Sequence, residues 1–168
     1  MTEAQKTFLE LAVIKQIKYK DISELLKVNQ STLSKWWDEL KIEREELSEL
    51  RKLWVKKFIS TEFWNFKRWY DGQEKKCYYC NITKNEIKLM IAGKQIKTKR
   101  LKTRGRKLEI ERRLPNNPYD SLENLVFCCY WCNNAKTDEF SEDEFKPIGQ
   151  IIRKIWKLRL EKANHFGE

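Results

Sequence analysis

The chain has 168 residues, enough for one or two small domains. Lysine and arginine number 35 against 25 acids, a net charge of +10, and 12% of the residues are aromatic, so small cores are feasible despite the charge. No stretch approaches the roughly eighteen continuous apolar residues of a membrane span. The start is charged and lacks the apolar run of a secretion signal, so a reducing, cytoplasmic setting is expected.

From the amino end, Phe8, Leu11, Ala12 and Ile14 recur at helical spacing. Asp21 to Lys27 reads as a short helix with Asp21 as its N-cap. Val28-Asn29-Gln30 reads as a turn, and Ser31 as the cap of a further helix, Thr32 to Leu40. Leu33, Trp36 or Trp37, and Leu40 share its inner face. The string Ile22-Ser-Glu-Leu-Leu-Lys-Val-Asn-Gln-Ser-Thr-Leu-Ser-Lys-Trp36 resembles the helix-turn-helix family, over about residues 5 to 42. The resemblance implies a second helix in the DNA major groove, with Gln30, Ser31, Thr32 and Lys35 at base edges. The family's turn glycine is absent, and Asn29 is the nearest residue tolerant of left-handed backbone. The alternative is a three-helix module for protein contacts.

Residues 43 to 72 read as connecting helix. Leu47, Leu50, Leu53, Trp54 and Phe58 form one stripe. A restart at Ser60 or Thr61 runs through Phe63, Trp64, Phe66, Trp69 and Tyr70 to Asp71-Gly72. The aromatic run reads as core packing rather than a base-stacking platform. Cys77-Tyr-Tyr-Cys80 predicts a tight knuckle. Thr83 and Glu86 form a capping-box pair, so a short helix follows to about Ile91, ended by Gly93.

Residues 94 to 113 then hold ten basic side chains and two acids, Glu109 and Glu111, or +8 of the +10. Such a block suits nucleic acid. Its candidate phosphate contacts are Lys97, Lys99, Arg100, Lys102, Arg104 and Arg106; the alternative is a solvated basic loop. Leu108 to Leu114 alternates like a strand, and Pro115-Asn-Asn-Pro118 forces a loop. Leu125 to Cys128 is the returning strand. A helix opens at Asn133, Ser141 signals another cap, and Ile148 to Leu160 is a final amphipathic helix.

Cys77/Cys80 and Cys129/Cys132 are two CxxC pairs that can complete a four-cysteine structural zinc site. Redox motifs or disulfides are the alternative, and a reducing setting favours metal. Cys128 is the odd cysteine. Neighbouring strand residues face opposite ways, so it reads as a small buried apolar residue.

The Cys77/Cys80 pair, Leu108-Glu-Ile-Glu-Arg112, the Asn124-Leu125 step and Cys129-Tyr-Trp-Cys-Asn-Asn-Ala-Lys136 together resemble the HNH endonuclease family of ββα-metal nucleases. The likeness covers about residues 74 to 146. With the helix-turn-helix likeness, it gives an expected α+β chain: an all-α helix-turn-helix domain over 1–45, connecting helices over 46–73, and an HNH-like domain over 74–168. It implies Glu111 and Asn133 as ligands of a catalytic magnesium or manganese ion, with Asn134 as fallback. Asn124 would hold the loop, and Lys136 would lie near the DNA backbone.

The family's general-base histidine falls at Arg112, which keeps its proton and cannot accept one from water. His165, the one histidine, is at the far tail. Three explanations stay open. Arg112 clamps the phosphate while Tyr119 or Glu109 helps activate water, or the metal suffices, or the site is dead. The expected function is a metal-dependent endonuclease for double-stranded DNA, of restriction, homing or mobile-element type. Cutting both strands with one site per chain would call for a homodimer. The alternative is an inactive zinc-stabilised DNA-binding protein or regulator.

Overall fold

Thr2 opens the first helix of the computed structural model, which describes residues 1–58, 60–97, 102, 104–119 and 121–164. Two compact units divide the chain, Met1–Arg68 and Trp69–Glu168. The fold is α+β: helices with one two-stranded antiparallel sheet. No helix among the described residues is long and apolar enough to cross a membrane.

In the first unit, α1 (Glu3–Leu9) begins with a capping box. Gln5 N–H donates to the Thr2 hydroxyl, and Thr2 N–H donates to the Gln5 side chain. The helix runs on through a π-helical turn, Glu10–Ile14. Next come α2 (Tyr19–Leu26), α3 (Gln30–Glu39) and α4 (Lys41–Lys57). Phe8, Ile22 and Leu33 are wholly buried. The Phe8 ring meets Tyr19, Trp36 and Trp37 at 5.6, 5.9 and 6.4 Å, so both tryptophans of α3 pack inward. In the first part of α5 (Phe63–Gly72), Phe66 stacks on Phe58 at 4.9 Å.

Local chemistry moves the expected caps. Asn29, not Ser31, caps α3: its Oδ1 accepts from Thr32 N–H and from both the Ser31 and Thr32 hydroxyls. Asn29 is extended, and the left-handed turn residue is Lys27, at φ 53. The Ser23 hydroxyl donates to Val28 O at 2.6 Å and ties that turn to α2. Lys18 takes the N-cap position of α2, so Asp21 lies inside the first turn.

In the second unit, Trp69 and Tyr70 of α5 pack on Phe127. The expected capping box opens α6 (Lys84–Ala92) at Thr83 and Glu86. Strands β1 (Glu109–Arg112) and β2 (Leu125–Cys128) pair antiparallel, with Glu109 opposite Cys128 and Arg112 opposite Leu125. Helix α7 (Tyr130–Lys136) follows β2 directly, capped by Cys129 rather than opening at Asn133. The last helix, α8 (Glu142–Asn164), is longer than its apolar stripe suggests, because it starts at the Ser141 signal and carries Pro147 in its second turn. Gly149 lets α8 approach the first knuckle: a Cβ there would fall 2.7 Å from Tyr79 O. The core gathers Tyr79, Ile82, Ile87, Met90, Phe145 and Trp156 around the five cysteines.

Candidate functional site

Two backbone knuckles build the cysteine cluster. In the first, Cys77 N–H donates to Ile82 O, and Asn81, left-handed at φ 56, donates to Cys77 O. In the second, Cys129 follows β2 and its sulfur accepts from Cys132 N–H at 3.4 Å. Tyr78 N–H donates to Phe127 O at 2.8 Å and ties the first knuckle to β2.

The four sulfurs of Cys77, Cys80, Cys129 and Cys132 are buried and lie within 4.8 Å of one another. Cys80 and Cys129 sulfurs are 3.7 Å apart. With zinc–sulfur bonds of about 2.3 Å, corners of a tetrahedron lie about 3.8 Å apart, so the spacing suits a zinc cage. All five cysteines are free thiols. Hydrogen bonds from Cys128 and the other three thiols hold Cys77 well below the usual thiol range. Its sulfur and burial push Cys128 up, and the hydrogen bond with Cys129 pushes Cys132 up. Four thiolates together need a cation at their centre. Cys128 lies outside the group, its sulfur 3.5 Å from Cys129 O.

Glu109 and Glu111 share one face of β1 by strand alternation. Glu111 is 9% exposed. Its carboxylate accepts from Arg112 N–H at 3.0 Å, and the Tyr119 hydroxyl lies 3.4 Å from both of its oxygens. Arg112 donates to Asn117 O at 3.3 Å and to Asp138 at 3.0 Å, and its guanidinium lies 4.7 Å from the Tyr119 ring centre. Its Nε is buried with no hydrogen-bond partner among the described residues; Glu111 Oε1 is 3.8 Å away.

Asn124 stitches the loop between the strands. Its Oδ1 accepts from Leu114 N–H at 2.8 Å, its Nδ2 donates to Leu114 O at 3.1 Å, and its backbone carbonyl accepts from Arg113 N–H. Asn133, on α7, donates from Nδ2 to Glu109 Oε2 at 2.6 Å. Arg104 grips the same carboxylate twice, at 2.9 and 2.5 Å. Asn134 instead bonds back to Tyr130 O within its own helix.

The expected DNA contacts divide. Gln30, Ser31 and Lys35 are exposed on α3, and Thr32 is half-buried. Lys97, Lys102, Arg104 and Arg106 are exposed, while Lys99, Arg100 and His165 lie outside the described residues. Lys136 is a correction: it is fully buried, with no hydrogen-bond partner for Nζ among the described residues, so it does not face a DNA backbone. The physical reason is its place on α7, one turn beyond the buried Cys132.

Sequence reading missed Glu142. Its buried carboxylate accepts from Tyr78, Lys146 and Arg113 and joins the first knuckle, the end of β1 and α8. Burial raises its pKa, but those three partners outweigh it and hold the carboxyl down at about 2. No local signal links residues 64 positions apart. Asp138 was missed for the same reason.

No family model matches the chain, and no curated protein matches it. A solved structure that is similar is that of PacI, a rare-cutting HNH restriction endonuclease described as perturbing DNA. It is 24% identical, with a TM-score of 0.47, over 58% of this chain and 66% of that one.

Proposed function

We propose that the chain is a metal-dependent DNA endonuclease. One observation carries this reading. Glu111 on β1, Asn124 just before β2 and Asn133 on α7, where the HNH motif has its working residues, belong to one unit fastened at four grouped cysteines. The Glu111 carboxylate and the Asn133 amide carbonyl are hard oxygen donors, which suits magnesium or manganese rather than a thiophilic ion. A divalent ion held there would supply Lewis-acid activation of water and neutralise charge at the scissile phosphate.

The remaining work falls to the chain's own side chains. Arg112 accepts no proton; fixed by Asn117, Asp138 and Tyr119, it is a charged clamp for phosphate. Glu109 is committed to Arg104 and Asn133, and the Tyr119 hydroxyl stands beside Glu111, where it would orient a water by hydrogen bonding. The exposed start of α3 would read duplex DNA as a helix-turn-helix. The basic segment would follow phosphates, and cutting of both strands would use a homodimer.

The test is supercoiled plasmid with zinc-loaded protein, with and without magnesium or manganese, beside Glu111→Ala. Metal-dependent nicking or linearisation that Glu111→Ala loses supports the nuclease. Gel-shifted DNA that stays intact under every metal would make the chain a zinc-stabilised binder or regulator.

A further inference from the structure

We infer that Glu109 is a positioning residue that turns the Asn133 amide so that its carbonyl oxygen, not its nitrogen, is offered to the divalent ion. The inference rests on the divalent site proposed above. An ionised carboxylate only accepts hydrogen bonds. The side of Asn133 that meets Glu109 must therefore be its NH2, as the 2.6 Å contact from Nδ2 has it. The carbonyl oxygen is on the other arm of the amide and faces away from Glu109. Only that oxygen can bind a hard cation.

Glu109 is itself locked. Arg104 donates to Oε1 and Oε2 as a two-pronged pair, and its guanidinium lies 5.0 Å from the ring centre of Tyr130, the first residue of α7. The lock thus spans the basic segment, β1 and α7. With Arg104 and Asn133 on its oxygens, Glu109 is an orienter rather than a ligand. This reassigns Arg104 from following phosphate to holding the site.

The experiment is calorimetric titration of manganese into the whole zinc-loaded chain and its E109A, E109A/N133D, R104A and E111A variants. Alanine at 109 removes the acceptor that fixes the Asn133 NH2, and aspartate at 133 offers oxygen on either arm and needs no such fixing. E109A should therefore weaken manganese about 10- to 100-fold, as loss of a ligand's supporting hydrogen bond does, and E109A/N133D should recover it. A loss that N133D does not recover would make Glu109 a direct ligand and overturn the inference, as would an unchanged E109A. If E109A sheds its zinc, R104A decides: weaker manganese supports the inference, and unchanged manganese overturns it. Manganese that binds neither wild type nor E111A sinks the divalent site itself and the inference with it. Manganese bound by wild type and lost in E111A keeps the site, whatever Glu109 does.

Discussion

Stripping the metal from the four-cysteine cluster should unfold one unit and spare the other. The packing of the second unit converges on that cluster. Its strands are four residues each, and a lone two-stranded sheet is marginal in water. Among the described residues, five of the twelve buried in its core cluster are cysteines. Structural zinc contributes on the order of 10 kcal/mol or more, as much as a whole small domain's net stability. Helices α6, α7 and α8, with 9, 7 and 23 residues, should therefore melt, while α1 to α4, with 7, 8, 10 and 17, persist. Far-ultraviolet circular dichroism during titration with a strong chelator should lose roughly half of its helical signal as one zinc per chain is released. The remainder should melt in a separate thermal transition. Full helicity after complete zinc release would refute the structural role. Loss of all helix at once would refute the independence of the two units.

Two other outcomes are expected. Glu142 has a folded-state pKa of about 2, below its ordinary 4.5, so its contribution is complete above about pH 4.5 and fades only as pH falls toward 2. The shift alone is worth roughly 3 kcal/mol, and because Arg113 and Lys146 are nearly half exposed, screening cuts this to about 1–2 kcal/mol. Urea unfolding of Glu142→Gln should show that deficit unchanged from pH 8 to pH 5; a deficit that shrinks across this range would contradict the low pKa. Gly149→Ala should cost about 1–3 kcal/mol, because the new methyl meets the Tyr79 backbone inside the cysteine knuckle. A melting temperature and zinc retention equal to wild type would show that α8 yields there.

What could be read from the sequence was carried by local pattern. The CxxC pairs, the Thr83/Glu86 box and the apolar return strand each announce themselves within a few residues, and the structure has all three. The α3 cap was misread because Asn29 and Ser31 are both good cap residues, and only geometry selects the one whose Oδ1 reaches Thr32 N–H. Lys27 in a left-handed turn has no sequence signature at all. Lys136 reads as a surface cation by type, and only the packing of α7 shows it buried. At the candidate site, Glu111, Asn124 and Asn133 were visible through their motif. The contacts around them, Asp138 on Arg112, Leu114 on Asn124 and Arg104 on Glu109, were not, because each depends on how the chain returns in space.

The distance along the chain between the cysteine pairs also sets an order of events during synthesis. The first unit ends at Arg68, before any cysteine has been made. It can fold on the ribosome while the cysteine-rich half is still a growing thread. The second unit must wait for Cys132, because closing a loop of about fifty residues costs on the order of 3.5 kcal/mol that the metal cage repays only once both pairs exist. The amino-terminal unit is thus finished before the cysteine-rich unit can close, and closure of the second waits on a metal ion as well as on translation.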